Sequence, residues 1–244
     1  MKKVRLLKSL LRRLIDTFLP ISSSHTYSQC GEDILIRTRF ATYSRLGMLF
    51  NRPRVAPGFY VDIGAYSPKR LSNTYWLYTA GWRGITVEPD PSAAWTFKLA
   101  RPRDTHLPIA ISGSSGEVQM AIGDYSAVNM VCGPTLAAKE SNAAFCNVPC
   151  RTLKSILDEY LSNGQKIDLL SIDCEGIELE ILESNDWSRY VPSVICVEDF
   201  EWCESASSSS QISSFLSARG YEAFGWAGAS VLWEHNSFRK RGIA

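Results

Sequence analysis

The chain has 244 residues, 45% of them apolar and 21% charged, with a mean hydropathy of -0.09. At about 150 residues per domain that is one large core with additions, and the composition excludes disordered, collagenous and multi-spanning membrane proteins. The net charge of +1 conceals an asymmetry: Lys2, Lys3, Arg5, Lys8, Arg12 and Arg13 crowd the N-terminus, leaving 20 basic against 25 acidic groups in the rest, a body too acidic to neutralise the phosphates of a nucleic acid.

From Val4 to Leu19 the apolar residues Leu6, Leu7, Leu10, Leu11, Leu14, Ile15, Phe18 and Leu19 recur at three- and four-residue spacing. That pattern predicts a helix with one apolar stripe and a basic opposite face, stopped by Pro20. Its longest apolar run is two residues, too short for a secretory signal or a membrane span. Residues 1–20 are therefore read as a basic amphipathic segment apart from a single domain at 21–244. Such a helix suits peripheral contact with an anionic membrane through residues 1–19, but also packing on its own domain or an organelle transit role. The sequence leaves these open.

Beyond it, short apolar runs alternate with helix-like segments: 58–66, 84–89, 107–112, 167–176 and 193–200. Buried strands separated by crossovers predict a doubly wound, mostly parallel α/β sheet. Residues 113–150 form a polar, Gly- and Pro-punctuated insertion, followed by a helix over Thr152–Leu161 capped near Arg151-Thr152. Residues 220–226 and 229–234 flank a Gly-containing turn and read as an antiparallel edge hairpin. The seven cysteines contain no Cys-x-x-Cys pair, so neither a disulfide framework nor a structural zinc site is expected, and the set suits a reducing, cytoplasmic compartment.

In an open α/β sheet ligands bind beyond the carboxyl ends of the strands. Here those ends are acidic: Asp62-Ile63-Gly64-Ala65, Glu88-Pro89-Asp90, Asp173-Cys174-Glu175-Gly176 and Glu198-Asp199. The first has one glycine where a dinucleotide fingerprint needs three, which disfavours a nicotinamide reductase and a pyrophosphate ligand. Glu88 is placed to accept both hydroxyls of a ribose. A nucleoside without phosphate is indicated, and S-adenosylmethionine meets that description, with its ribose on Glu88 and its methionine end near Asp62, Gly64 and Ala65.

Five blocks in order, Tyr27–Asp33, Gly58–Ala65, Ser72-Asn73-Thr74, Gly81–Pro89 and Ile172–Gly176, resemble the signature blocks of the FkbM-type methyltransferase family. The resemblance runs from about Tyr27 to Phe200. It implies a class I, Rossmann-like fold, S-adenosylmethionine as donor, and the hydroxyl of a sugar, glycan or secondary metabolite as acceptor. Cys174 stands where valine is more usual, a change conservative in size, and the insertion has no counterpart, so acceptor specificity does not carry over.

A neutral hydroxyl is a poor nucleophile, and removing its proton as the bond forms is worth about 10²–10⁴ in rate. Asp173, Glu175 and Glu198 are the available bases. The same three suit Mg²⁺ or another hard cation, and Asp173 also suits the N-cap of a helix starting near Gly176. Asn73 and Thr74 read equally as donor contacts and as caps of the following helix; His25, His106 and His235 read as surface or structural. The competing functional reading is a catalytically silent, membrane-associated module of the same fold, against which stand the carboxylates at four strand ends.

Overall fold

The computed structural model describes residues 26–42, 54–122, 131–132, 144–205 and 210–239. The predicted basic helix, and His25, lie outside them. In chain order the described elements are α1 (Glu32–Phe40), β1 (Ala41–Thr42), β2 (Arg54–Val55), β3 (Phe59–Ile63), α2 (Tyr75–Thr79), β4 (Arg83–Val87), α3 (Ala94–Ala100), β5 (Thr105–Leu107), β6 (Ala110–Ile111), β7 (Gly116–Ile122), β8 (Val131–Cys132), β9 (Ala144–Arg151), α4 (Leu153–Tyr160), β10 (Leu169–Ile172), α5 (Glu178–Glu183), β11 (Val194–Glu198), α6 (Phe200–Ser205), α7 (Gln211–Ser217), β12 (Tyr221–Ala227), β13 (Ser230–His235) and α8 (Asn236–Arg239).

Seven strands make the main sheet, in the order β5-β4-β3-β10-β11-β13-β12. The five from β5 to β11 are parallel, and β13 alone is inverted, pairing antiparallel with both β11 and β12. The chain steps outward from β3 to β5, then returns to lay β10 and β11 on the other side of β3. This is the predicted doubly wound sheet with its edge hairpin, and the order reverses between β3 and β10.

Period two in the strands divides the core. Val61, Ile63, Val87, Ile172 and Val197 enter the larger cluster on one face, with Leu153 and Ile156 of α4, Ile181 of α5 and Leu216 of α7. Tyr60, Leu169, Val194 and Cys196 enter the cluster on the other, with Ile36 of α1 and Leu77 of α2. Burial on both faces is why these strands read as unbroken apolar runs. The predicted helix after the insertion forms as α4, and the Thr152 side chain accepts the Ser155 amide as its N-cap.

Two expectations need correction. Residues 107–112 are not one strand: Leu107 ends β5 in the main sheet, while Ala110 and Ile111 pair with β9 in a second sheet of order β6-β9-β7-β8. Pro108, which has no amide to donate, stands at the break. The insertion is likewise more regular than its composition predicts. Strands β7 and β9 pair antiparallel from Gly116↔Cys150 to Ile122↔Ala144, and Met120, Val148 and Cys150 bury a small core of their own with Ala110.

Candidate active site

At the carboxyl edge of the sheet the loops are tied to one another by backbone bonds. The amides of Gly64 and Ala65 both donate to the Val87 carbonyl at 3.0 Å, and that of Asp173 donates to the Ile63 carbonyl at 3.0 Å. Gly64 has φ 77°, and a Cβ added to it would lie 1.8 Å from the Asp173 carbonyl oxygen. Only glycine lets the loops after β3 and β10 meet here.

Glu88 ends β4 and is 6% exposed. One carboxylate oxygen accepts the Tyr66 amide and the other the Asp90 amide, each at 2.9 Å, so the group is fixed in orientation. Pro89 follows it, half-buried, at the same edge.

Asp62 lies beneath this edge, 4% exposed. Its carboxylate accepts the Thr74 hydroxyl and a side-chain bond from Ser171. Thr74 in turn accepts from the Arg101 guanidinium at 2.9 Å, which also donates to the Tyr60 hydroxyl at 2.7 Å and to Asp104 at 2.7 Å. Arg101 is 1% exposed. Burial raises the Asp62 carboxyl above its ordinary range, and Arg101 and the Thr74 bond pull it back. A buried carboxylate needs such partners to stay charged. Asp62 and Thr74 thus underpin the β3 loop from below, and Asn73 spans the sheet face, donating to Ser171 of β10 at 3.1 Å.

The helix-capping alternatives are set aside by the geometry. Thr74 stands at the N-cap of α2 but its side chain makes no cap bond; the Ser72 hydroxyl accepts the amides of Thr74 and Tyr75 instead. Asp173 does not cap the next helix, because α5 begins at Glu178 with Ile177 at its N-cap and no side-chain cap bond.

The structure brings Asp173, Glu175 and Glu198 into one electrostatic neighbourhood. Asp173 is pushed up to about 7 by burial, then by Glu175, Glu178, Glu32 and Asp62. Glu198 is pushed up to about 8 by burial, then by Asp173, Glu175 and Glu178, and its Oε2 has no hydrogen-bond partner among the described residues. Burial, then Glu178, raises Glu175. Among the described residues no three His, Cys, Asp or Glu side chains are arranged to hold a metal ion. The described histidines are engaged elsewhere: His106 stacks on Phe97 at 4.3 Å and bonds Thr86, and His235 bonds Ser237.

Three participants carry no role in the sequence reading. Glu32, 5% exposed, accepts the Cys30 amide at 2.8 Å, and its charge is among those that raise Asp173; it lies within the Tyr27–Asp33 block, which was its signal. Glu178 clamps the turn after Asp173 and sits just past the Asp173–Gly176 motif. Arg101 has no sequence signal, since a charge beside proline in a polar stretch reads as solvated.

Residues 62–223 match the model of the methyltransferase FkbM domain. The chain belongs to the FkbM methyltransferase family. The matched span covers all four acidic strand ends, and the sheet, with its single inverted strand β13, is the Rossmann-like class I methyltransferase fold. Solved structures similar to this FkbM-family chain include methyltransferase FkbM from Methylobacillus flagellatus KT, at 13% identity over 73% of this chain and 43% of that one, with a TM-score of 0.45. This chain therefore spans less than half of that structure's length. Others are cofactor-bound Rv0187 from MTB, at 14% identity over 94% and 88% of the two chains with a TM-score of 0.40, and precorrin-6y C5,15-methyltransferase from Geobacter metallireducens GS-15, at 14% over 80% and 92% with a TM-score of 0.36. No curated protein matches the chain.

Proposed function

We propose that this FkbM-family protein is an S-adenosylmethionine-dependent O-methyltransferase acting on a hydroxyl of a sugar, glycan or secondary metabolite. The observation that carries the reading is the crowding of Asp173, Glu175 and Glu198 at the ends of β10 and β11, next to the reversal of strand order. Burial first, and then repulsion among the carboxylates, pushes Asp173 to about 7 and Glu198 to about 8, with two consequences. A cationic ligand at this edge relieves the repulsion, and a carboxylate that titrates near neutrality is matched to work as a general base.

The residues present suit this donor. Glu88, oriented by two backbone amides, is the ribose-binding group; Gly64, Ala65 and Pro89 form the adjoining backbone; Asp62, Asn73 and Thr74 hold that backbone in place. When bound, S-adenosylmethionine supplies the methyl group on a sulfonium, an electrophile needing no further activation. Asp173 then takes the proton of the acceptor hydroxyl, with Glu175 and Glu198 keeping the local field negative. An aromatic rim supports a ring-shaped acceptor. Trp226 of β12 is 62% exposed, its ring centroid is 5.5 Å from that of Trp202 in α6, and it pairs with Val231, which pairs with Val197 next to Glu198. Aromatic faces of this kind pack against the apolar face of a sugar ring.

The test is transfer of a labelled methyl group from S-adenosylmethionine to hydroxyl-bearing glycans and small molecules from the host. Label retained on an acceptor oxygen supports the reading. Donor binding without transfer to any acceptor points to the silent module instead. No described helix is long and apolar enough to cross a membrane; peripheral attachment through residues 1–19 is proposed from their charge and leucine spacing alone.

A further inference from the structure

The turn that carries Asp173 and Glu175 has an uncommon backbone. Glu175 has φ 59° and Gly176 φ 108°, two left-handed residues in succession, and a residue with a Cβ stays in that region only where its surroundings enforce it. The enforcing group lies outside the turn. Glu178, in the first turn of α5 and 5% exposed, bends its carboxylate back over the preceding chain. Its Oε1 accepts the amides of Cys174 at 2.9 Å and Gly176 at 3.0 Å, and its Oε2 accepts that of Gly176 at 3.1 Å. These amides belong to the Asp173–Cys174 and Glu175–Gly176 peptides, so the carboxylate fixes one peptide plane on each side of the Cys174-Glu175 pair.

We propose that Glu178 is a positioning residue for methyl transfer: by clamping the Cys174 and Gly176 amides it holds the Asp173–Gly176 turn in the left-handed form that sets Asp173 and Glu175 beside Glu198. The proposal rests on the reading of Asp173 as the base. Glu178 has a second effect through its charge, because it is among the groups that raise Asp173, the others being Glu175, Glu32 and Asp62. It likewise raises Glu175 and Glu198. The two effects separate by substitution: Glu178→Gln removes the charge but keeps an acceptor oxygen for the amides, whereas Glu178→Ala removes both.

The experiment compares the full-length parent with both variants. Amide hydrogen exchange at Cys174 and Gly176, followed by NMR without donor, reads the clamp directly. Glu178→Ala is expected to exchange about tenfold faster at both amides and to lose about tenfold or more in kcat, with the donor KM within about threefold. Glu178→Gln is expected to keep the exchange near that of the parent while the Asp173 carboxyl, followed by carbon NMR, titrates at lower pH. Unchanged exchange in Glu178→Ala overturns the clamp whether or not the protein transfers methyl groups, so its failure is distinct from failure of the functional reading. Faster exchange with unchanged kcat overturns the positioning role. If Glu178→Ala does not fold, Glu178→Met, which keeps most of the side-chain volume but has no oxygen to accept the two amides, takes its place, and exchange at Cys174 and Gly176 as slow as in the parent overturns the clamp.

Discussion

Replacing Gly64 by alanine tests whether the meeting of the β3 and β10 loops organises the site. The added Cβ would stand 1.8 Å from the Asp173 carbonyl oxygen and 2.8 Å from its carbon, so one backbone has to move by more than about 1 Å. Such a shift breaks the Asp173–Ile63 bond and strains those from Gly64 and Ala65 to Val87, at about 1 kcal/mol each. The left-handed φ of 77° adds about 1–2 kcal/mol for a residue with a Cβ. The sum is about 4–5 kcal/mol, or roughly 8–20 °C in Tm for a chain of this size. Gly176→Ala is the control: it also has a positive φ, 108°, but a Cβ there meets nothing within 4 Å, so only the conformational part, about 1–2 kcal/mol, applies. Thermal unfolding and calorimetric titration of donor measure both variants. Gly64→Ala should lose donor binding together with stability, and Gly176→Ala should keep donor binding. Equal losses in the two variants would refute the close-contact argument.

Asp173→Asn should lower turnover by about 10²–10⁴ with little change in donor affinity, since an amide fills the same volume but takes no proton. In the parent, turnover should rise as pH passes about 7, where Asp173 ionises. Its raised carboxyl contributes stability that is fully present below about pH 4, its unfolded value, and is lost as pH rises through 7; the Asn variant should therefore gain Tm over the parent at pH 9. Arg101→Met should destabilise by about 3–5 kcal/mol at pH 8, because it leaves Asp62 and Asp104 buried without their cation. That loss should shrink as pH falls and Asp62, whose carboxyl burial raises, takes up its proton, and a pH-independent Tm difference would count against the buried network. The full-length protein should sediment with anionic vesicles, less so as salt rises, and a variant lacking residues 1–19 should stay in the supernatant with unchanged donor affinity.

The main sheet is legible in the sequence because β3, β4, β10 and β11 are covered on both faces, so Tyr60-Val61, Ile85, Leu169-Leu170 and Val194-Ile195 leave continuous apolar runs. The acids that end these strands stand out for the same reason, each being the first charge after a buried run. What is not legible depends on contacts distant along the chain. Arg101 is drawn into the interior by Tyr60 and Thr74, from two other elements, and nothing around Pro102 announces it. The bonds from Thr74 and Ser171 to the Asp62 carboxylate likewise come from residues distant along the chain. Strand β9 contains Pro149, opposite Glu117, and a proline inside a run argues against a strand, which hid the second sheet despite the alternation of Val118 and Met120. The split at Pro108 follows from which sheet offers a partner to each side, information that local pattern does not hold.

The most direct test of the account is calorimetric titration of S-adenosylmethionine into the protein and into Glu88→Gln, which keeps the side-chain volume and one of the two oxygens that accept the Tyr66 and Asp90 amides. The account predicts one-to-one binding by the parent and a loss of about 1.5–3 kcal/mol in the variant, roughly 10- to 150-fold in Kd, the range for hydrogen bonds to a charged group. No binding by the parent, or equal affinity in the two proteins, would contradict the assignment of the donor to the carboxyl edge of β3 and β4.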